Sequence, residues 1–182
     1  SLLFRNEKKL LENKLVDTMM HDGLIDAFNN YHMGITAENI AEKFKISREE
    51  QDNFALRSQN KTQLSIKEKK FDEELVDVNF LGNSLNFDEH PRKDLKFKDL
   101  EKLKTVFKKD GTVTPGNSSG INDGAAAVLL TNSYEAEKRS LKPLVRIVSW
   151  SSVGVEPSLM GLGPIDAVKF ALKKAQWKLK EG

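Results

Sequence analysis

The amino-acid sequence predicts an α/β fold, because strand-like and helix-like segments alternate along its last third. The continuous apolar run AAAVLL, residues 125–130, is bounded by turn-forming residues and predicts a strand covered on both faces. Residues 144–155 are rich in β-branched side chains and predict a second strand. Residues 133–140 predict a short helix between them. The GLGP turn at residues 161–164 predicts the start of another helix, whose apolar face carries Ile165, Val168, Ala171, Leu172 and Ala175.

The first third of the chain predicts two helices in succession. Thr36 is a candidate N-cap for a helix over residues 37–45, whose apolar positions recur at helical spacing. Ser47 followed three residues later by Glu50 is the pattern of a capping box. It predicts a polar, mostly exposed helix from residue 48 to about residue 69.

The middle of the chain predicts a strand, a loop and a basic helix. Apolar residues alternate through residues 71–80, which predicts a strand, and residues 81–94 predict a loop. Residues 92–109 contain eight cations and three acids, with apolar side chains at helical spacing: Leu100, Leu103, Val106 and Phe107. Such a run suits either contact with phosphate or an ordinary solvated helix face.

Composition excludes several classes of function. With 29 Lys and Arg against 27 Asp and Glu, the formal net charge is only +2, so we expect no nucleic-acid partner. The absence of cysteine removes disulfides, thiolate metal sites and cysteine nucleophiles. No apolar run approaches the roughly 20 residues of a membrane helix, so we expect no membrane partner and a cytoplasmic location.

The loop TPGNSSGINDG, residues 114–124, is the most informative candidate site. Its three glycines let a ligand approach the backbone closely, while Ser118, Ser119 and Asn122 supply hydrogen-bonding groups. It has neither the Gly-Lys-Ser/Thr ending of a nucleotide P-loop nor the spacing of a dinucleotide-binding loop. Composition alone therefore leaves a tight structural turn and a ligand-binding loop equally open.

Histidine residues give a weaker signal. His32 beside Met33 suits a packed, hydrogen-bonded side chain as well as an acid or base. His21 and His90 have no companions at metal-ligand spacing, so we expect no metal site.

Five segments together resemble the thiolase family, in the same order and spacing across residues 15–179. The resemblance is to the acetyl-CoA acetyltransferase branch, particularly its cytosolic form. The segments are HMGITAENIA, SREEQDNFALRSQ, DGTVTPGNSSGINDGAAAVLL, RIVSWSSVGVEPSLMGLGPIDA and KKAQW.

The resemblance implies a thiolase-like α/β fold, which in the complete family has two similar halves in a five-layered αβαβα arrangement. By this comparison, residues 15–121 correspond to the loop domain that holds coenzyme A. Residues 122–142 end the N-terminal half, and residues 143–182 begin the C-terminal half. Residues 1–14 diverge from the family.

The resemblance also assigns residues to the coenzyme A site. Ser119 matches the family serine that holds the pantetheine arm, and Pro115 and Phe107 match residues lining the same tunnel. Arg92 matches an arginine at the adenine and phosphate end. Asp99 stands where the family often has an adenine-contacting serine, which departs from the pattern.

The acyl group is assigned to a second set of positions. His32, Met33 and Met160 match residues that line the acyl pocket, and Leu24 matches an apolar wall of the pantetheine site. Coenzyme A thioester is then a substrate, acetyl-CoA or acetoacetyl-CoA, and no separate cofactor is expected.

The catalytic residues of the family have no counterpart in this sequence. Thiolases use a cysteine that is acylated, a second cysteine in Cys-x-Gly, the histidine of Gly-His-Pro and the asparagine of Asn-Glu-Ala-Phe. We therefore expect a segment of an acetyl-CoA C-acetyltransferase that binds coenzyme A but is inactive alone, with a homo-oligomer as the complete protein. The alternatives are a non-catalytic acyl-CoA-binding relative and a module that pairs with a complete thiolase subunit.

Overall fold

A computed structural model describes residues 16–179 of the 182-residue chain. The divergent segment of residues 1–14 lies outside the described residues. The chain divides between Ser119 and Gly120 into two compact units. Nothing in this division tests the three domain boundaries drawn from the resemblance, which stay predictions.

The first unit begins with a short π-helix, Met19–Leu24, and an isolated antiparallel bridge between Ile25 and His32. Helix α1, Met33–Phe44, follows at once. The prediction that Thr36 caps this helix is wrong. The cap is His32, whose backbone is extended, whereas the Thr36 hydroxyl lies inside the first turn and donates to the Met33 carbonyl at 2.5 Å.

Helix α2, Arg48–Lys67, confirms the predicted capping box. The Ser47 hydroxyl accepts from the Glu50 N–H at 3.2 Å, and the Glu50 carboxylate accepts from the Ser47 N–H at 2.7 Å. The Ser47 backbone N–H, with the hydroxyl, lowers the pKa of Glu50 from its usual 4.5. The helix is largely exposed as predicted, but Asp52 is buried.

Strands β1, Val78–Phe80, and β2, Asn83–Leu85, form an antiparallel hairpin. The predicted strand over residues 71–80 is therefore too long. Val78 pairs with Leu85, the last residue of β2, so the residues before Val78 have no pairing partner in this hairpin. Helix α3 is also shorter than the predicted basic helix and spans Phe97–Glu101, but its Leu100 is buried as predicted.

Among residues 16–119, more polar than apolar side chains are buried. Ala41, Leu100 and Val113 are buried. So are the polar residues Thr36, Glu38, Asp52 and Thr114. Because a buried polar group is costly without a hydrogen-bond partner, the partners of these residues determine how the unit is held together.

The second unit is helical where it is regular. Helix α4, Ser133–Lys138, is capped by the side chain of Asn132, a 3-10 helix spans Pro157–Leu162, and helix α5 spans Gly163–Ala175. The predictions for both α-helices are confirmed. The Ser149 and Ser151 hydroxyls donate to carbonyl oxygens of α5 at 2.7 and 2.6 Å.

Two predicted strands are not formed in the second unit. Residues 125–130 and 144–155 have no regular secondary structure, and their apolar side chains are open to solvent: Leu129 is 86% and Leu144 98% exposed. A strand is held by hydrogen bonds to a neighbouring strand, and within residues 120–179 the structure assigns no strand. The apolar pattern predicts strands in these two segments, but residues 120–179 contain no neighbouring strand with which they could pair.

Among residues 16–179, no helix has the length and apolar character needed to cross a lipid bilayer.

Candidate functional site

His32 is the N-cap of α1, and its imidazole is held by a hydrogen bond and by a stacked aromatic ring. Nδ1 accepts a hydrogen bond from the Gly34 N–H at 2.9 Å, which places the proton of the neutral ring on Nε2. One face of the ring stacks on Phe107, with the centroids 4.5 Å apart and the planes 22° from parallel. Of the two alternatives left open by the sequence, this geometry is that of a packed, hydrogen-bonded histidine.

Gly34 allows the Phe107 ring to lie against α1. A Cβ atom at this position would overlap three carbons of the ring, so any larger residue would displace it. The glycine therefore determines the position of the ring that stacks on His32.

The residues around this stack are joined by backbone hydrogen bonds. An antiparallel bridge pairs His32 with Ile25. Leu24 precedes Ile25 and Met33 follows His32, so both are chain neighbours of bridged residues. On the other side, the Val106 N–H donates to the Val113 carbonyl at 3.1 Å, which connects the segment of Phe107 to the loop that follows Val113.

Glu38 holds the start of that loop from α1. Its carboxylate is 3% exposed and accepts from the backbone N–H groups of Thr112 and Val113, each at 2.8 Å, and from the Thr112 hydroxyl at 2.8 Å. Gly111 lies so close that a Cβ atom there would overlap the Glu38 carboxylate. The buried charge is thus surrounded by donors from one short segment.

Asp52 holds the centre of the loop from α2. Its side chain is 1% exposed; Oδ2 accepts from Arg48 Nε at 2.7 Å and Oδ1 accepts from Asn117 Nδ2 at 2.9 Å. Arg48 also donates through Nη2 to the carbonyl oxygens of Leu100 at 2.7 Å and Leu103 at 3.2 Å. One buried carboxylate therefore connects α2, the end of α3 and the loop.

The loop turns away from this anchor and leaves some of its residues at the surface. Thr114 is fully buried, and its carbonyl accepts from the Ser118 hydroxyl at 2.7 Å. Gly116 packs so closely on Leu100 that a Cβ atom would lie 2.5 Å from its side chain. Pro115 and Ser119 are exposed. The loop is thus rigid on its inner side and accessible on its outer side.

Arg92 lies elsewhere in the first unit. Its side chain is exposed, and its backbone N–H donates to Gln59 Oε1 of α2 at 2.9 Å. Another cation of the basic run, Lys108, pairs with Glu42 at 2.9 Å. This contact lowers the pKa of Glu42 and raises that of Lys108, through a hydrogen bond first and through charge attraction second.

The structure brings some of the predicted site residues together and not others. His32 and Phe107 stack on each other, Met33 and Leu24 are the chain neighbours of the bridged residues His32 and Ile25, and Pro115 and Ser119 lie on the loop that follows Val113. Met160 is in the 3-10 helix of the second unit. Asp99 accepts from the Lys96 N–H at 3.1 Å at the start of α3. The ligand contacts assigned to these residues stay predictions.

Four residues that hold the loop were not singled out by the sequence: Glu38, Arg48, Asp52 and Asn117. One signal was available, because Gly34, Glu38 and Ala41 form a buried stripe at helical spacing that contains an acid. Asp52 gave a fainter signal, since Arg48 stands four residues before it. What the site offers chemically is rigid hydrogen-bonding backbone, a stacked aromatic pair and exposed polar side chains, which suits binding.

Comparisons with known proteins show the family of the chain. The family described as the thiolase N-terminal domain matches residues 2–134. Cytosolic acetyl-CoA acetyltransferase of Rattus norvegicus is 50% identical over 97% of this chain and 46% of its own length. The acetyl-CoA acetyltransferase of Rhizobium meliloti is 48% identical over 97% of this chain and 46% of its own length.

Solved structures give the same result. The acetyl-CoA acetyltransferase of Bacillus anthracis superposes with a TM-score of 0.82 at 39% identity, covering 97% of this chain and 45% of that one. Human mitochondrial 3-ketoacyl-CoA thiolase in complex with CoA gives a TM-score of 0.83 at 41% identity, covering 96% of this chain and 44% of that one. The predicted α/β, thiolase-like fold is confirmed, and the chain spans about half the length of these relatives. This chain belongs to the thiolase family.

Proposed function

We propose that this chain is the coenzyme A-binding part of an acetyl-CoA C-acetyltransferase. The observation that carries the proposal is the loop of residues 112–119, which two buried carboxylates hold from behind while Pro115 and Ser119 face outward. The His32–Phe107 stack adjoins the same loop through the Val106–Val113 hydrogen bond. A rigid surface of this kind loses little conformational entropy when a flexible ligand binds.

The proposed ligand fits the charges of the first unit. Coenzyme A combines an uncharged pantetheine arm, which carries two amide groups, with a phosphorylated adenosine end. The arm suits the outer side of the loop and the aromatic pair, and Arg92, in the basic run of residues 92–109, suits a phosphate. A related human enzyme was solved in complex with CoA, which supports the same ligand class.

For the complete protein we propose the condensation of two acetyl-CoA molecules to acetoacetyl-CoA, or the reverse reaction. This activity needs a nucleophile strong enough to attack a thioester and a base to remove a proton next to the carbonyl. The 182 residues contain no cysteine, so we propose that this chain alone binds but does not catalyse. We further propose a cytoplasmic location, which the cytosolic relative supports, and a homo-oligomeric complete protein, which the family resemblance supports.

Binding is tested by calorimetry of the 182-residue chain with coenzyme A. We expect saturable binding that weakens about ten-fold or more in Arg92→Ala, because a charge-assisted contact is removed. Ser119→Ala should weaken binding by less than Arg92→Ala, since a neutral hydrogen bond is lost. Lys93→Ala is the matched control, because it removes a neighbouring exposed cation.

Two outcomes would each contradict one part of the proposal, the first the ligand and the second the role of Arg92. Flat heats with the unaltered chain would exclude coenzyme A as the ligand. Equal weakening by Arg92→Ala and Lys93→Ala would show that only the general positive charge of the run attracts the phosphates.

A second candidate function is pairing with a complete thiolase subunit. The exposed apolar side chains of residues 125–130 and 144–150 favour it, since large exposed apolar surfaces mark interaction sites. Co-purification with such a subunit, without any binding of coenzyme A by the chain itself, would favour this function over the first.

A further inference from the structure

Asn117 uses every polar atom of its side chain within the protein. Nδ2 donates to Asp52 Oδ1 at 2.9 Å and to the Thr112 carbonyl at 3.0 Å, while Oδ1 accepts from the Thr114 N–H at 2.8 Å. A side chain committed in this way is not available to hold a ligand. Its effect on binding must therefore come through the loop that it holds.

The partner of Asn117 is a charge that is expensive to bury. Asp52 is 1% exposed, and a buried carboxylate is tolerated only when a cation or several donors compensate for its lost hydration. Arg48 supplies the cation and Asn117 supplies the donor on the other oxygen. The buried Asp52 carboxylate thereby fixes the position and orientation of the Asn117 amide.

The loop residues with proposed ligand contacts lie on either side of this anchor. Pro115 precedes Asn117 by two residues and Ser119 follows it by two, and both are exposed. A shift of about 1 Å in such groups is enough to weaken a ligand contact substantially. The anchor is thus placed where it controls the geometry of both residues.

We propose that Asn117 and Asp52 are positioning residues for the pantetheine arm of coenzyme A. They set the conformation of residues 114–119 without touching the ligand. This inference rests on the proposed function and deepens it by separating the two ends of the ligand. Loss of the anchor should affect the pantetheine end and spare the phosphorylated adenosine end, since the backbone of Arg92 is held by Gln59 of α2.

The test measures binding of two probes, coenzyme A and 3′-phospho-ADP, which lacks the pantetheine arm. Asn117→Ala removes the amide, and we expect it to weaken coenzyme A binding about ten-fold, equivalent to about 1.4 kcal/mol, with 3′-phospho-ADP binding unchanged. A purely structural defect would weaken both probes together.

Asn117→Asp gives an independent readout, because it places a second carboxylate against Asp52. Two adjacent carboxylates raise the pKa of one of them, and the proton then restores a hydrogen bond between the pair. We expect coenzyme A binding by this variant to recover as the pH falls from about 7 to about 5. Asn60→Asp, which adds the same charge at an exposed position of α2, is the matched control and should not recover in this way.

The outcomes separate this inference from the function on which it rests. If the unaltered chain binds coenzyme A and Asn117→Ala binds it equally well, only the positioning role is overturned. Equal loss of both probes in Asn117→Ala also overturns it. If the unaltered chain binds no coenzyme A, both proposals are overturned.

Discussion

Replacing Gly34 by alanine should destabilise the first unit through the Phe107 ring. The new methyl group would overlap three ring carbons, and the ring is also held by its stack on His32. Forcing an extra methyl group into a packed site costs about 1–3 kcal/mol. Weakening the aromatic contact adds about 0.5–1.5 kcal/mol, and the better helix propensity of alanine offsets at most about 1 kcal/mol. Taking the middle of each range, we expect a net loss of about 2.5 kcal/mol.

Thermal and urea unfolding, followed by far-ultraviolet circular dichroism, measure this loss. For a unit of this size each kcal/mol lowers Tm by about 4–8 °C. Gly23→Ala is the matched control, because nothing lies within 4 Å of a Cβ atom placed there. It should leave stability within about 0.5 kcal/mol of the unaltered chain.

A double substitution tests the cause. Phe107→Ala removes the Cγ, Cδ2 and Cε2 atoms that the Gly34→Ala methyl group would meet, so the two changes together should cost less than the sum of their separate effects. Strict additivity, or equal stability of Gly34→Ala and Gly23→Ala, would refute the reasoning from the ring contact.

Two further predictions concern carboxylates. Glu38→Gln should lower the free energy of unfolding in urea by about 2–3 kcal/mol, because the new amide group points a donor at the Thr112 N–H, which needs an acceptor. The matched control, Glu42→Gln at an exposed position, should lower it by under about 1 kcal/mol. Equal losses in the two variants would argue against the buried anchor. Ser47, the N-cap, lowers the pKa of Glu50 in the folded chain below the value near 4.5 of the unfolded chain. The ionised Glu50 side chain therefore stabilises the fold at pH values above 4.5, and this stabilisation is lost as the pH falls through the lower pKa of the folded chain. Stability measured from about pH 6 to about pH 3 should therefore decline less steeply in Glu50→Gln, and identical slopes would contradict this.

The sequence predicted best where the signal was local. The capping box at Ser47 and Glu50 and the start of α5 depend on residues within one or two turns, and both form as predicted. It predicted poorly where a partner was required. The strands expected at residues 125–130 and 144–155 need neighbouring strands, and apolar patterning alone provides none.

The candidate site divides in the same way. The sequence singled out the glycine-rich loop and His32 as candidate site features. Its motifs also indicated that the chain belongs to the thiolase family, and the comparisons confirm this membership. It left open whether the histidine is packed, and the stack on Phe107 answers that question.

By itself, then, the sequence determined the family, the main helices and the capping box that begins α2, because its motifs and its helical spacing can be read directly from residue order. Only the tertiary structure revealed that Glu38 holds Thr112 and that Asp52 holds Asn117, across 74 and 65 positions of the chain. The reason is physical: an acid on a helix surface and an acid in a buried anchor have the same local sequence pattern. The two kinds of acid differ only in whether hydrogen-bond donors from distant parts of the chain contact the carboxylate in the folded structure.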